Sequence, residues 1–309
     1  MEILKKIRVS GPLLIICAAL LWAFDGVIRR YLYSLPPITI IFFEHFIGLL
    51  ILAPFAWMTV RKEKIEKRDM WLLLLVAILS GLFGTLWFTT ALLKVHFISF
   101  SVVFLLQKLQ PIFAITTASI FLKEKFERKY IRWAVLAFVA AFFVTFKDGM
   151  INFKTGEATI IAALYAFGAA VAWGSSTTFS KMILTKVSSK TSTFYRFLFT
   201  AIISFLVVII FGYSTSITTI TVPQLGLFLL IAISTGMVAL MIYYKGLART
   251  PVHISTILEL TFPFIAIFID MTLYHTVLSF TQWIAAILLT FAIYKIARLK
   301  SNAISNYTN

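Results

Sequence analysis

The sequence predicts an all-α membrane protein with ten transmembrane helices arranged as two inverted five-helix repeats. Three observations carry that expectation. The chain of 309 residues is 61% hydrophobic and only 13% charged, whereas a soluble domain is roughly 45–50% apolar and 25% charged. Its apolar residues gather in runs near the ~20 residues that a helix needs to cross hydrocarbon. Finally, Trp22 and Trp173, Arg30 and Lys181, and His45 and Arg196 each stand 151 residues apart, at matching places in two successive sets of runs.

A barrel is excluded by the runs themselves. Barrel strands alternate apolar and polar residues over ~10 positions, but the stretch 71–93 is continuously uncharged without such alternation. Only helices then satisfy every backbone polar group inside a bilayer. The expected spans are 11–32, 37–58, 70–92, 97–122 and 131–146 in a first repeat, 1–150, and 157–184, 191–212, 224–244, 251–273 and 280–296 in a second, 151–309. Leu35-Pro36-Pro37, the charged stretch 61–69, and the segments 123–130, 147–156 and 213–223 separate them.

Lys and Arg sort by loop, which fixes orientation, since short cytoplasmic loops carry the excess. With the N-terminus inside, twenty-one basic residues fall on the cytoplasmic side, among them Lys5, Arg61, Lys123, Lys186 and Lys295, against five outside, including Arg29 and Arg30. Both termini are therefore expected in the cytoplasm and the chain in the inner or plasma membrane. The net charge of +16 needs no nucleic-acid partner on this reading; the partners are the lipid bilayer and a small-molecule substrate. The N-terminal MEILKKIRVS has the basic flank of a signal peptide, but the span after it is full length and carries Asp25, so it is read as retained. Cys17 is the single cysteine, so no disulfide, metal or cofactor is expected.

Five spans per half is an odd number, so the second half enters the membrane in the opposite sense to the first. Inverted repeats place a substrate site near the midplane between them and expose it alternately to each side. Ionisable side chains at that depth cost roughly 2.5–3.5 kcal/mol each, and by default face an interior or a water-filled path. Asp25, Glu44, His45, Lys108, Arg196, Glu259 and Asp270 qualify. Glu259, Pro263, Ala266 and Asp270 share one helix face by their spacing, as do Trp22, Asp25 and Arg29, while Gln107, Lys108 and Gln110 form a polar sector round Pro111. Pro111 and Pro263 permit kinks at matching positions. Candidate substrate-binding residues are Trp22, Asp25, Glu44, His45, Gln107, Lys108, Trp173, Tyr195, Tyr243 and Glu259. Glu259 and Asp270 are candidates for carrying a coupling ion, a proton being the natural one. Bland alternatives stand beside these: Asp25 and Arg29 as a local ion pair, Lys108 as the neutralised partner of Glu259 or Glu44, Arg196 reaching the headgroups and Asp270 solvated at a span end.

The stretches LLWAFDGVIRRYL at 20–32, AVAWGSSTTFSKMI at 170–183, QKLQPIFA at 107–114 followed by FLKEKF, and ELTFPFIA at 259–266 resemble the drug/metabolite transporter superfamily, of the EamA type, over nearly the whole chain. Glu124 fits the glutamate that often ends the fourth span of a half in that family. Tyr274 and His275 stand near that place in the second half, and Gln110 and Phe262 replace the acid usual before the proline. The resemblance implies a carrier for amino acids or other small metabolites, exported or exchanged, with substrate in a central cavity. Acids and bases in one cavity would suit a zwitterion. A proton-coupled exporter of cationic drugs and a channel are the alternatives. An enzyme is not indicated, because no HExxH, GxSxG or phosphate-binding glycine loop occurs.

Overall fold

The computed structural model describes residues 10–94, 102–151, 153, 159–273, 275 and 277–305, and every described element is a helix or a turn. Seven stretches are long and apolar enough by themselves to cross a membrane: Gly11–Leu32, Pro37–Lys62, Lys67–Lys94, Ile160–Leu184, Ser189–Ile210, Val222–Ala248 and Phe280–Leu299. The expected spans at 97–122, 131–146 and 251–273 do not reach that standard, for visible reasons. The fourth begins outside the described residues and the ninth is broken in two. The fifth, Arg128–Thr145, opens on Arg128, Lys129 and Arg132.

In chain order, α1 (Gly11–Ala23) starts where the Ser10 hydroxyl accepts the Leu13 N–H at 3.4 Å, with Pro12 in its first turn. It is offset at Phe24 from α2 (Asp25–Arg29), which ends in a 3₁₀ turn at Arg30–Leu32. Pro37 opens α3 (Pro37–Lys62), a helix that continues past the expected end at Met58; its 26 residues extend about 39 Å at 1.5 Å each, beyond the ~30 Å hydrocarbon core. The third stretch is α4 (Lys67–Val76), a π-helical segment (Ala77–Gly84) and α5 (Thr85–Lys94). α6 (Val102–Gln107) and α7 (Gln110–Phe121) are parted by a turn at Lys108 and Leu109. α8 (Arg128–Thr145) completes the first half.

The second half runs through α9 (Thr159–Leu184), α10 (Ser189–Ile210), a one-turn α11 (Thr215–Thr218), α12 (Val222–Ile233) and α13 (Met237–Ala248). α14 (Val252–Leu258), α15 (Thr261–Leu273) and α16 (Phe280–Ser305) follow. Thr221 and Gln224 form a capping box at the start of α12. The last helix runs nine residues past the expected end at Ile296.

The packing has a reciprocal pattern. α3 lies on α10, and α8 on α16; α1 packs on α13 as α5 packs on α9; α1 packs on α15 as α7 packs on α9; α3 meets α12 as α10 meets the π segment. Small residues make the tightest seams: Ala137, Ala140, Ala141 and Val144 of α8 are buried, as are Ala285, Ala286, Leu289 and Ala292 of α16. Such seams suit helices in lipid, where close van der Waals packing replaces the hydrophobic drive. Outward faces are apolar at helical spacing, as with Val135 and Val139 on α8 and Ile202, Phe205, Leu206 and Ile209 on α10. A protein in water does not present stripes of this extent.

Candidate functional site

Each half interrupts its third and fourth stretches, and these interruptions meet around one cavity of about 360 Å³. That lies within the roughly 300–1,000 Å³ of small-molecule sites. In the third stretch of the first half, the π segment frees the Ser80 carbonyl, which accepts from the Trp173 indole at 3.2 Å and from the Thr85 hydroxyl at 3.1 Å. Gly84 makes room for that indole, since a Cβ there would lie 2.4 Å from Trp173 Nε1. In the corresponding stretch of the second half, the chain breaks between α12 and α13, and the Thr235 hydroxyl donates to Asp25 at 2.7 Å. The first helix of each half thus engages the broken third stretch of the other. In the fourth stretches, the breaks fall at Lys108–Leu109 and at Glu259–Leu260, each just before a proline, Pro111 and Pro263. Lys108 and Glu259 both line the cavity.

Its charged groups are mostly engaged with one another. Arg29 donates to Asp25 at 2.8 Å and 3.3 Å and to Glu44 at 3.0 Å. Arg29 is only 5% exposed and Glu44 7%. The ion pair that the spacing of Asp25 and Arg29 allows is thus present, and Glu44 joins it from α3. Glu259 accepts from the Tyr243 hydroxyl at 2.6 Å and from Gln110 at 3.1 Å. Arg196 donates to the Tyr244 hydroxyl at 3.1 Å, so it serves the cavity wall rather than the headgroups. His45 pairs through Nδ1 with the Ile41 carbonyl at 2.9 Å and sits 4.8 Å from the Phe197 ring. The pairing of Lys108 with Glu44 or Glu259 is not found. Lys108 has no ion pair or hydrogen bond among the described residues and stands over the Phe262 ring at 4.9 Å. Aromatic walls complete the cavity, with Trp22 and Tyr243 rings 5.0 Å apart and Phe88 and Trp173 at 5.2 Å.

Of the residues chosen by sequence, Trp22, Asp25, Glu44, His45, Gln107, Lys108, Trp173, Tyr243 and Glu259 all line this cavity. Tyr195 does not. It sits about 100° round α10 from Arg196, packed against Phe194 and Phe199 with ring centroids 5.4 Å and 5.7 Å away. The side chain of Asp270 lies outside the described residues. Sequence reasoning left out Phe88, Thr177, Ser180 and Thr235, which also line the cavity, as does Tyr244 beside Tyr243. Thr177 and Ser180 had a signal, standing four and seven residues after Trp173 on one helix face. Thr235 had none, since its partner Asp25 is 210 positions away.

Away from the cavity, Glu124 between α7 and α8 binds the start of α14. Its carboxylate accepts the backbone N–H groups of Val252 at 2.8 Å and His253 at 3.1 Å, and pairs with the His253 ring. Tyr130 donates to the His253 carbonyl at 2.8 Å. Burial alone would raise the Glu124 carboxyl, yet the hydrogen bonds from His253 and the two backbone amides hold it below the usual carboxylate range.

A multi-pass helical bundle with a polar and aromatic cavity at facing helix breaks is an architecture suited to membrane transport. The chain belongs to the EamA-like transporter family, whose pattern it matches twice, over residues 9–146 and again over 160–298. It is 35% identical over 295 residues to the riboflavin transporter ImpX of Fusobacterium nucleatum subsp. nucleatum, an alignment that spans 94% of this chain and 99% of that protein. A crystal structure of a protein 17% identical in sequence has the same fold, with a TM-score of 0.76 over 94% of this chain and 99% of the other.

Proposed function

We propose that this protein is a secondary transporter of a small organic metabolite, built as ten spans in two inverted halves, 1–150 and 151–309, that rock about the central cavity. The observation that carries this is the matched breakage of the third and fourth stretches in both halves, around one cavity. Interrupted helices at corresponding repeat positions are where inverted-repeat carriers hold their substrate. The reciprocal packing of α1 on α13 and α5 on α9 supports a twofold relation between the halves. The basic loops support cytoplasmic termini and an inner or plasma membrane setting.

The solute we favour is a flat heteroaromatic such as riboflavin, the solute in the relative's name. Trp22, Tyr243, Phe88 and Trp173 offer ring faces, and Gln107, Gln110, Ser176 and Thr177 offer hydrogen bonds. An amino acid or other zwitterion has less to hold it, because Glu44 is taken by Arg29 and Glu259 by Tyr243 and Gln110. Glu259 meets no cation among the described residues and is our candidate for carrying a coupling proton, with Asp270 on the same helix.

Purified protein in liposomes loaded with riboflavin should exchange it for external labelled riboflavin, saturably and without competition from amino acids. An imposed pH gradient should change the rate in the wild type, and the Glu259→Gln variant should lose that dependence. Non-saturating flux with large single-channel currents would replace the carrier with a channel, and exchange of amino acids but not riboflavin would restore the zwitterion.

A further inference from the structure

Lys108 is a formal charge in the cavity wall that makes no hydrogen bond at all among the described residues. Arg29 has two carboxylates and Arg196 the Tyr244 hydroxyl, each with one further nitrogen unpaired, and Glu259 has two donors. The Lys108 ammonium has only the face of Phe262. The residue is 8% exposed and lines the cavity. An ammonium carries three donors and no acceptor. Placed at the cavity with no acceptor from the protein, those three donors call for acceptors from whatever fills the cavity.

Gln107 is its neighbour at the end of α6 and lines the same wall. The Gln107 Nε2 reaches Gln110 Oε1 at 3.5 Å, but its Oε1 is buried without a partner. Two successive residues of the cavity lining therefore carry an ammonium with no hydrogen bond and an amide oxygen with none, the second turned away from the cavity until its side chain rotates. Their complement is a ligand edge that places a carbonyl oxygen next to an N–H on a flat ring. A cyclic imide has that edge. The pyrimidine-dione end of a flavin carries one, and so does a uracil base.

We infer that Lys108 and Gln107 together recognise the imide edge of the transported ring, Lys108 donating to a ring carbonyl and Gln107 accepting from the ring N–H. This rests on the heteroaromatic reading above and narrows it. The ring then lies edge-on to the break between α6 and α7, with the rest of the solute running across the cavity towards Trp22 and Trp173.

The test is competition against labelled riboflavin by a graded set of unlabelled compounds, using wild-type protein in detergent. Riboflavin and lumiflavin, which share the imide, should compete; 3-methylriboflavin, which lacks the N–H, should compete roughly 10–100-fold less well, as the loss of one hydrogen bond in a buried site implies. In the Gln107→Met variant that discrimination should vanish, an outcome that loose packing alone would not produce. The Lys108→Met variant should bind riboflavin roughly 10–100-fold more weakly and remove any shift of the bound flavin's near-ultraviolet band, which responds to hydrogen bonding at the ring carbonyls. Equal competition by riboflavin and 3-methylriboflavin on the wild type would overturn the inference while leaving riboflavin as solute. If riboflavin does not bind, the flavin reading falls; direct binding of uridine but not 3-methyluridine would then still support the imide site, and binding of neither would end it.

Discussion

Arg29 is held by Asp25 and Glu44 almost out of reach of solvent. Two acids and one base leave this group formally negative, and Thr235 donates a further hydrogen bond to Asp25. Removing one member of a buried charged set is far worse than removing all of them, because the remaining charges lose compensation. The Arg29→Met variant should therefore lose roughly 3–5 kcal/mol of stability, read as a lowered melting temperature in detergent. Combining it with Asp25→Asn and Glu44→Gln should recover most of that loss; a triple variant no more stable than the single one would mean that the arginine acts by packing. Part of this group was legible in the sequence, since Asp25 and Arg29 are one helical turn apart and Glu44 lies deep in a span. The link between Arg29 and Glu44 was not, because it crosses from α2 to α3 and no periodicity records a contact between helices. Tyr195 and Arg196 teach the same point in reverse. Adjacent in sequence, they face different surroundings, and only the packing of α10 decides which one meets the cavity.

At the scale of elements, proline announced the breaks at Lys108 and Glu259, because Pro111 and Pro263, both in the first turn of the following helix, lack the N–H that would bond back four residues across the break. The π segment at Ala77–Gly84 had no such sign. Its glycines make sense only against their partners: a Cβ on Gly81 would lie 2.0 Å from the Thr200 hydroxyl, and one on Gly84 against Trp173. The start of α14 is secured from another half of the chain, by Glu124. A Glu124→Ala substitution leaves two backbone amides without their acceptor and should cost about 1.5–3 kcal/mol. Because this carboxyl is held below its ordinary value of 4.5, its contribution is complete above that value and fades as pH falls through the lower, folded one. Wild-type melting temperature should accordingly drop as the medium is acidified below about 4.5, and the Glu124→Gln variant should lack that part of the decline. Parallel acid profiles for the two proteins would assign the drop to other carboxylates.

For the whole molecule, the halves pack on each other along entire helices and are also joined by polar contacts at helix ends. Glu63, after α3, accepts the Ser188 N–H before α10 at 3.1 Å and 3.2 Å, and Lys186 pairs with Asp69 on α4. Glu124 binds α14 as described. The opposite helix ends are joined across the halves as well, Gln224 donating to Ser34 at 3.1 Å, Thr281 to Asp148 at 2.6 Å and Gln282 to the Val144 carbonyl at 3.1 Å. A carrier that exposes its site alternately must undo first one set of these contacts and then the other in every cycle. Fixing one of them should then stop transport without emptying the cavity. In a Cys17→Ala background, Glu63→Cys and Ser188→Cys joined by a cleavable bifunctional thiol reagent should abolish riboflavin exchange, retain riboflavin binding, and regain exchange on cleavage. Undiminished exchange by the joined protein would mean that the two halves stay fixed to each other here, and that the solute crosses by some path other than a rocking of one against the other.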